Sequence, residues 1–319
     1  MEDYFSKILL TILSFINIFL TIKYKFIGEK LNIFDKNEFL KTNKKIYLIG
    51  GILLIINILF IYFFLNYNAV INYSLIIGSI LIFTLGFFDD KLNLNANLKL
   101  VITVLIIFFI LILDDHLLLL NLKFNFIDFS ISTSKFAIPF TILCFALYLN
   151  AFNMFDGINL QCGIYSAIIA IYFFIISNNI IFLTLLSFLI PFLYFNFKNK
   201  IYLGDSGSLL LGLFFGYFFI KFYNLELIKN VEEVFILMCV PGIDMFRLFC
   251  ERIYNKKNPF KKDERHIHHI LNKKFSPIVT VLLIQGLFLN IIFFYFYINF
   301  IFSLIYFLII YSLIVIKIK

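Results

Sequence analysis

A chain of 319 residues that is 62% hydrophobic and 20% aromatic, with a mean hydropathy of +0.98 and only 14% charged residues, is too apolar to stay in water. Its apolar runs reach the roughly 17 residues that cross a hydrocarbon core as a helix, which excludes a soluble globular domain and also a β-barrel built from strands of about ten alternating residues. The formal charge of +8 reads as a membrane-surface property that attracts anionic headgroups and phosphorylated substrates, not as a nucleic-acid footprint.

Eleven such runs follow in chain order, over residues 4–24, 47–65, 71–88, 98–114, 136–152, 160–176, 179–195, 206–222, 233–250, 277–297 and 299–317. They predict an all-α, polytopic membrane protein with one transmembrane domain over 1–319. With the N-terminus outside, all but five of the 27 Lys and Arg residues fall on the cytoplasmic side, the five being Lys7, Lys123, Lys135, Lys221 and Lys229. Basic residues accumulate on that face, and one miscounted helix would exchange the faces for everything after it. The first run, led by Glu2 and Asp3 without a small-residue cleavage site, reads as a retained anchor. Cys144, Cys162, Cys239 and Cys250 lack metal-type spacing and read as small packing residues.

Residues 25–46 form a basic cytoplasmic loop ending at Lys44 and Lys45, just before Gly50-Gly51. It reads as solvated, with a phosphate or nucleotide contact from either lysine as the alternative. The third run ends at Asp89-Asp90, followed by Lys91 and Lys99. Adjacent carboxylates so close to hydrocarbon stay charged only beside a cation or metal. The outside segment 114–135 reads as a solvated turn with Asp114, Asp115 and His116 exposed, a short interfacial hairpin being the alternative.

Asn150, Asn153 and Asp156 then fall along one helical face that Gly157 interrupts, and their oxygens are hard ligands suited to Mg²⁺. Gly204-Asp205-Ser206-Gly207-Ser208 opens the eighth run, either as a plain cap or, with the other acidic segments on the same side, as a seat for a bridging cation. Asp244 and Arg247 are spaced to pair. The largest cytoplasmic loop, 251–276, brings Arg265 and His266-Ile267-His268-His269 beside Lys261 and Lys262, a set better suited to a diphosphate than to Zn²⁺.

Gathered on one face, carboxylates and amides for a divalent ion and a Lys/Arg/His group for phosphate oxygens are the equipment of phosphoryl transfer, which depends on positioning and charge stabilisation. The chain lacks the GxxxxGK[ST] phosphate loop. A lipid phosphate at the headgroup boundary would meet a soluble nucleotide-activated donor there, and this explains so polar a site mounted on so many spans.

These motifs, in this order and on this side of the membrane, resemble the polyprenyl-phosphate N-acetylhexosamine-1-phosphate transferases, the group that includes MraY, WecA and TagO. The resemblance runs from the basic loop before Gly50-Gly51 to His269. It implies transfer of a sugar 1-phosphate from a UDP-sugar to a polyprenyl phosphate with release of UMP, and a requirement for Mg²⁺ or Mn²⁺. It implies that Asp89 and Asp90 orient or deprotonate the lipid phosphate, that Lys99 contacts phosphate, that Asp156 is the aspartate of the NxxD element, and that Asn153 and Asp205 are the metal ligands. Asn159 would lie near the uracil, while Arg265, His266, His268 and His269, with Lys45, would hold the donor.

Asn93 stands where the muramyl-peptide branch has a lysine, and His-Ile-His-His replaces its three histidines, so the chain looks closer to the WecA and TagO side. Asn159-Leu160 stand where many bacterial members have Asp-Gly, and the basic loop lacks the usual histidine and proline near Lys45. The expectation is a GlcNAc-1-phosphate-type transferase of the bacterial inner membrane that starts a surface glycan such as O-antigen, teichoic acid or capsule. The alternatives are a phospho-MurNAc-pentapeptide transferase and a non-enzymatic lipid-linked sugar transporter. Against the transporter, nearly all charges sit at span ends and no internal duplication is visible. The sequence leaves open which hexosamine is used and whether the chain forms a homodimer.

Overall fold

The structure, a computed structural model, describes residues 2–65, 72–256 and 265–318. Lys257, Asn258, Pro259, Phe260, Lys261 and Lys262 of the large loop lie outside them. The helices are α1 (Glu2–Ile22), α2 (Tyr24–Leu31), α3 (Lys36–Thr42), α4 (Gly50–Phe60), α5 (Tyr73–Leu92), α6 (Ala96–Leu113), α7 (Ala137–Phe155), α8 (Gln161–Ser177), α9 (Ile180–Phe197), α10 (Gly204–Asn224), α11 (Val231–Tyr254), α12 (Ile267–Asn272), α13 (Pro277–Tyr297) and α14 (Phe300–Ile318). Four short strands accompany them: β1 (Tyr47–Leu48), β2 (Asn121–Phe124), β3 (Phe129–Ser132) and β4 (Ile201–Tyr202).

Helix covers most of each of the eleven apolar runs, the second of which begins as strand β1, and among the described residues six helices are long and apolar enough to cross a membrane. These are Tyr4–Ile22, Ala96–Leu113, Ser134–Phe155, Ile180–Phe197, Gly204–Asn224 and Pro277–Tyr297. The protein is therefore a multi-pass membrane protein. The basic segment 25–46 is not plain loop, because α2 and α3 form within it, α3 capped by the Asp35 carboxylate accepting from the Glu38 N–H at 3.0 Å.

The chain divides into two compact units, Met1–Asp115 with Cys162–Tyr217, and His116–Gln161 with Phe218–Lys319. In the first, α1 packs on α4 and α9, and a buried amide pair joins it to α4: Asn17 Nδ2 donates to Asn57 Oδ1 at 2.9 Å and Asn57 Nδ2 returns the bond at 2.8 Å. Such bonds join helices in hydrocarbon, where apolar burial alone gives no preference. β1 pairs in parallel with β4, Tyr47 opposite Ile201 and Leu48 opposite Tyr202, which sets the starts of α4 and α10 side by side. Glycine makes that approach possible, since a methyl group at Gly51 or Gly86 would overlap the backbone of Ser206. Leu209, Leu210, Leu211, Leu213, Phe214 and Phe215 of α10 are all buried, as expected of a helix apolar on every side.

Asp114 is not exposed. It is buried, accepting from Asn72 Nδ2 at 2.5 Å and Ser74 Oγ at 3.2 Å, because two donors at the start of α5 stand ready to replace its water. Asp115 and His116 are exposed as read.

In the second unit α11 packs on α7 and α13, and α12 lies against α13 and α14. Segment 114–135 holds an antiparallel hairpin and not a plain turn, pairing Asn121 with Ser132 through to Phe124 with Phe129. The buried Glu232 carboxylate at the head of α11 accepts from the Phe126 N–H at 2.8 Å and fixes it.

Candidate active site

α5 runs on to Leu92, so Asp89 and Asp90 lie inside its last turns and not beyond its end. Successive helical residues point about 100° apart, and the two carboxylates find different partners. Asp89 Oδ2 accepts from Lys99 Nζ at 2.6 Å, and its Oδ1 from the Leu94 N–H at 2.8 Å. The same ammonium reaches Asp205 Oδ1 at 3.1 Å. Asp89 and Lys99 are buried, while the Asp205 side chain is 21% exposed. An ion pair out of water needs this quality of geometry to offset desolvation.

Asp90 turns to α10. Its carboxylate accepts from the N–H of Asp205 at 2.7 Å, the N–H of Ser206 at 3.1 Å and Ser206 Oγ at 2.7 Å. These are donors that the first turn of a helix leaves without partners, and a carboxylate there also meets the positive end of the helix dipole. The cap of α10 is thus supplied from α5, with Gly204 at φ +76° making the turn that admits it.

In the second unit, Asp244 of α11 is the hub. Its oxygens accept from Tyr311 Oη at 2.6 Å, His266 Nδ1 at 2.8 Å, Arg247 Nη2 at 3.0 Å and the Ile267 N–H at 3.1 Å. That set replaces the water a buried carboxylate loses, and a carboxylate can only accept, so His266 carries its proton on Nδ1. Arg247 also donates to the Arg265 carbonyl at 2.6 Å and pairs with Glu251 at 3.3 Å; Glu251 accepts in turn from Arg265 Nη1 at 2.9 Å. The expected Asp244–Arg247 pair exists inside this larger network.

His268 stacks on His266, ring centroids 5.4 Å apart, and approaches His269 to 4.3 Å. Its Nδ1 lies 3.4 Å from Gln161 Nε2, and Gln285 Nε2 holds the Gln161 carbonyl at 3.0 Å. Nε2 of His268 sits against Gly157, where any Cβ would overlap it. Burial first, then the neighbouring His269 and His266, push the His268 imidazole down to about 3, so it is neutral.

Asn153 occupies the last turn of α7, which ends at Phe155. Asp156, at φ −78° and ψ 58°, has left the helix, so Asn150, Asn153 and Asp156 do not share one helical face. Asn150 Nδ2 donates to the Ala146 carbonyl of its own helix at 2.8 Å. Asn159 follows in the turn to α8, where Leu160 takes φ +71°. Lys45 is exposed, its ammonium 5.3 Å from the centre of the Phe34 ring. Asp89, Asp90, Lys99 and Asp205 thus come together in one unit. In the other, Arg265, His266, His268 and His269 gather, with Gly157 and Gln161 against His268. Gln161, Gln285 and Tyr311 carry no signal in the sequence; Ser206 stands there only as part of a capping segment and Gly157 only as the interruption of a helical face, and the structure gives each a specific partner, Asp90 and His268.

Carboxylate oxygens grouped at a partly exposed helix start suit a hard divalent ion, and the group contains no sulfur or imidazole that would favour a softer metal. Residues 72–223 match the profile described as glycosyl transferase family 4, a span that includes Asp89, Asp90, Lys99, Asn153, Asp156 and Asp205. Over that span the chain is similar to glycosyl transferase family 4. Among similar proteins, the undecaprenyl-phosphate alpha-N-acetylglucosaminyl 1-phosphate transferase of Thermotoga maritima is 28% identical over 207 residues, which are 65% of this chain and 64% of that one. The protein of the same name from Escherichia coli is 25% identical over 287 residues, 83% of this chain and 76% of its own. The probable undecaprenyl-phosphate N-acetylglucosaminyl 1-phosphate transferase of Bacillus subtilis is 29% identical over 212 residues, 62% and 57% of the two chains. The chain therefore spans less than two thirds of the Thermotoga and Bacillus proteins. The histidine loop lies after the residues that match the family profile.

Proposed function

We propose that this protein transfers a sugar 1-phosphate, GlcNAc-1-phosphate or that of a related N-acetylhexosamine, from a UDP-sugar to undecaprenyl phosphate. An oxygen of the lipid phosphate bonds to the phosphorus that carries the sugar; that phosphorus parts from the bridging oxygen, and UMP leaves with the electron pair. The observation that carries the reading is the Asp89–Lys99–Asp205 cluster at a helix start capped by Asp90, polar machinery built at the end of apolar helices. The printed names of the three similar proteins point to the same reaction.

Asp89 and Lys99 would orient the lipid phosphate, whose second pKa near 6 leaves little deprotonation to do. Asp90 would act by holding Asp205 and the α10 N-terminus in place. Mg²⁺ or Mn²⁺ would be liganded by Asp205 and, as the resemblance implies, Asn153. When bound, such an ion supplies positive charge to phosphate oxygens. Asp156 and Asn159 would serve the donor nucleotide, and Arg265, His266, His268, His269 and Lys45 its phosphates. Eleven crossings, an outside N-terminus and a cytoplasmic site in the bacterial inner membrane follow from the placement of lysine and arginine.

The test is purified protein with undecaprenyl phosphate, Mg²⁺ and a panel of UDP-sugars, read by UMP release. UDP-GlcNAc or another UDP-HexNAc should support turnover. Turnover with UDP-MurNAc-pentapeptide alone would replace this reading with the peptidoglycan one, and no UMP from any donor would overturn it.

A further inference from the structure

Five side chains on α11 and the histidine loop, those of Asp244, Arg247, Glu251, Arg265 and His266, form one network of hydrogen bonds, and a sixth comes from far along the chain. Tyr311 lies on α14 and is buried. Its hydroxyl donates to Asp244 Oδ1 at 2.6 Å and accepts from Arg247 Nε at 2.7 Å, while the Arg247 guanidinium lies 5.9 Å from its ring centre. The two residues it joins are those that fix the start of the loop. Asp244 accepts from the His266 Nδ1–H and the Ile267 N–H, and Arg247 donates to the Arg265 carbonyl. Phe307, one turn earlier, supports the tyrosine with ring centres 5.5 Å apart.

We propose that Tyr311 is a positioning residue for the histidine loop: its hydroxyl holds Asp244 and Arg247 in register, and through Asp244 aims the ring of His266. Loss of the hydroxyl leaves a buried carboxylate and a half-buried guanidinium each short of one partner, and the pair can swing. His266 then loses its fixed orientation, although Tyr311 itself meets no substrate. Groups that orient an acting residue from behind typically cost about ten- to a hundredfold in activity when removed. The consequence for transfer rests on the reaction proposed above; the hydrogen bonding does not.

The test compares the full-length wild type with Tyr311→Phe in two measurements. The chain has 4 histidines, so side-chain ¹⁵N spectra of histidine-labelled protein resolve each ring. The wild type should show one ring locked with its proton on Nδ1, and Tyr311→Phe should move that signal toward mixed tautomers while leaving His116 unchanged. In UMP release, kcat should fall about ten- to a hundredfold, with KM for undecaprenyl phosphate within about twofold. Adding Tyr311→Phe to Asp244→Asn should cost little more than Asp244→Asn alone, because one acts through the other. A folded Tyr311→Phe protein with unaltered histidine spectra and kcat overturns the inference. Should that variant fail to fold, Tyr311→Met removes the same hydroxyl and is judged by the same two readouts. Should the wild type release no UMP, the proposed reaction fails, and the spectra alone decide the role of Tyr311.

Discussion

In the first unit, Asp89 and Asp205 share one ammonium, that of Lys99, while Asp90 caps α10 beside them; in the second, Asp244 and Glu251 are matched by Arg247 and Arg265 before any histidine is counted. The first group carries an excess of negative charge, the property on which the proposed cation rests. The second is balanced, so protonation of a histidine there tips it toward anions. They also differ in support. The carboxylate cluster stands on two helix ends and one lysine, whereas the histidine loop is tied by hydrogen bonds from α11 and α14. One site is tuned by charge and the other by geometry, and they should break differently.

The largest effect should follow removal of a charge from the first cluster. Asp205→Asn is expected to lower UMP release about a hundred- to a thousandfold with the protein still folded, the range seen when one charge-stabilising group is removed. Full turnover in that variant would end the role assigned to it. The geometric site should yield to a single methyl group instead. Gly157→Ala forces His268 off its seat and should lower kcat about ten- to a hundredfold, whereas Gly242→Ala on α11, which has open space, should be silent. Equal behaviour of the two glycines would contradict the packing described.

Within the first cluster, Asp90 should separate from its neighbour Asp89. Asp90→Ala leaves α10 without its cap and should cost about 1–3 kcal/mol of stability, measured as a lower thermal midpoint in detergent. Asp89→Asn should cut turnover while moving that midpoint less. The smallest effect concerns pH. His268 is held at about 3 against an ordinary 6.5, so between those values the unfolded chain binds a proton that the folded chain does not. Its contribution to stability is present above about 6.5 and is lost as pH falls toward 3. The thermal midpoint should therefore drop more between pH 7 and pH 5 in the wild type than in His268→Gln; identical slopes would show the ring to be accessible.

The fold was legible to the extent that it is local. Apolar runs of helical length name the helices, and an acidic or basic residue at a run's end is visible without a neighbour. Pairing was readable where partners lie a few residues apart, as with Asp244 and Arg247. The hairpin at 121–132 was passed over in favour of a turn because its anchor, Glu232, is about a hundred residues away. Asp114 was misread for a similar reason, since the donors that bury it lie on another helix.

The sequence by itself determined that this chain lives in a membrane, that its spans are helices, and which polar residues stand at their ends, because length and hydropathy act along the chain. Only the tertiary structure decided that two adjacent aspartates do different work, that Asp90 caps a helix 115 residues on, that His268 needs a glycine beneath it, and that Tyr311 steadies His266. Those outcomes depend on which side chains meet across helices, and a hydrogen bond is directional over about 3 Å, a distance that no spacing in one sequence encodes.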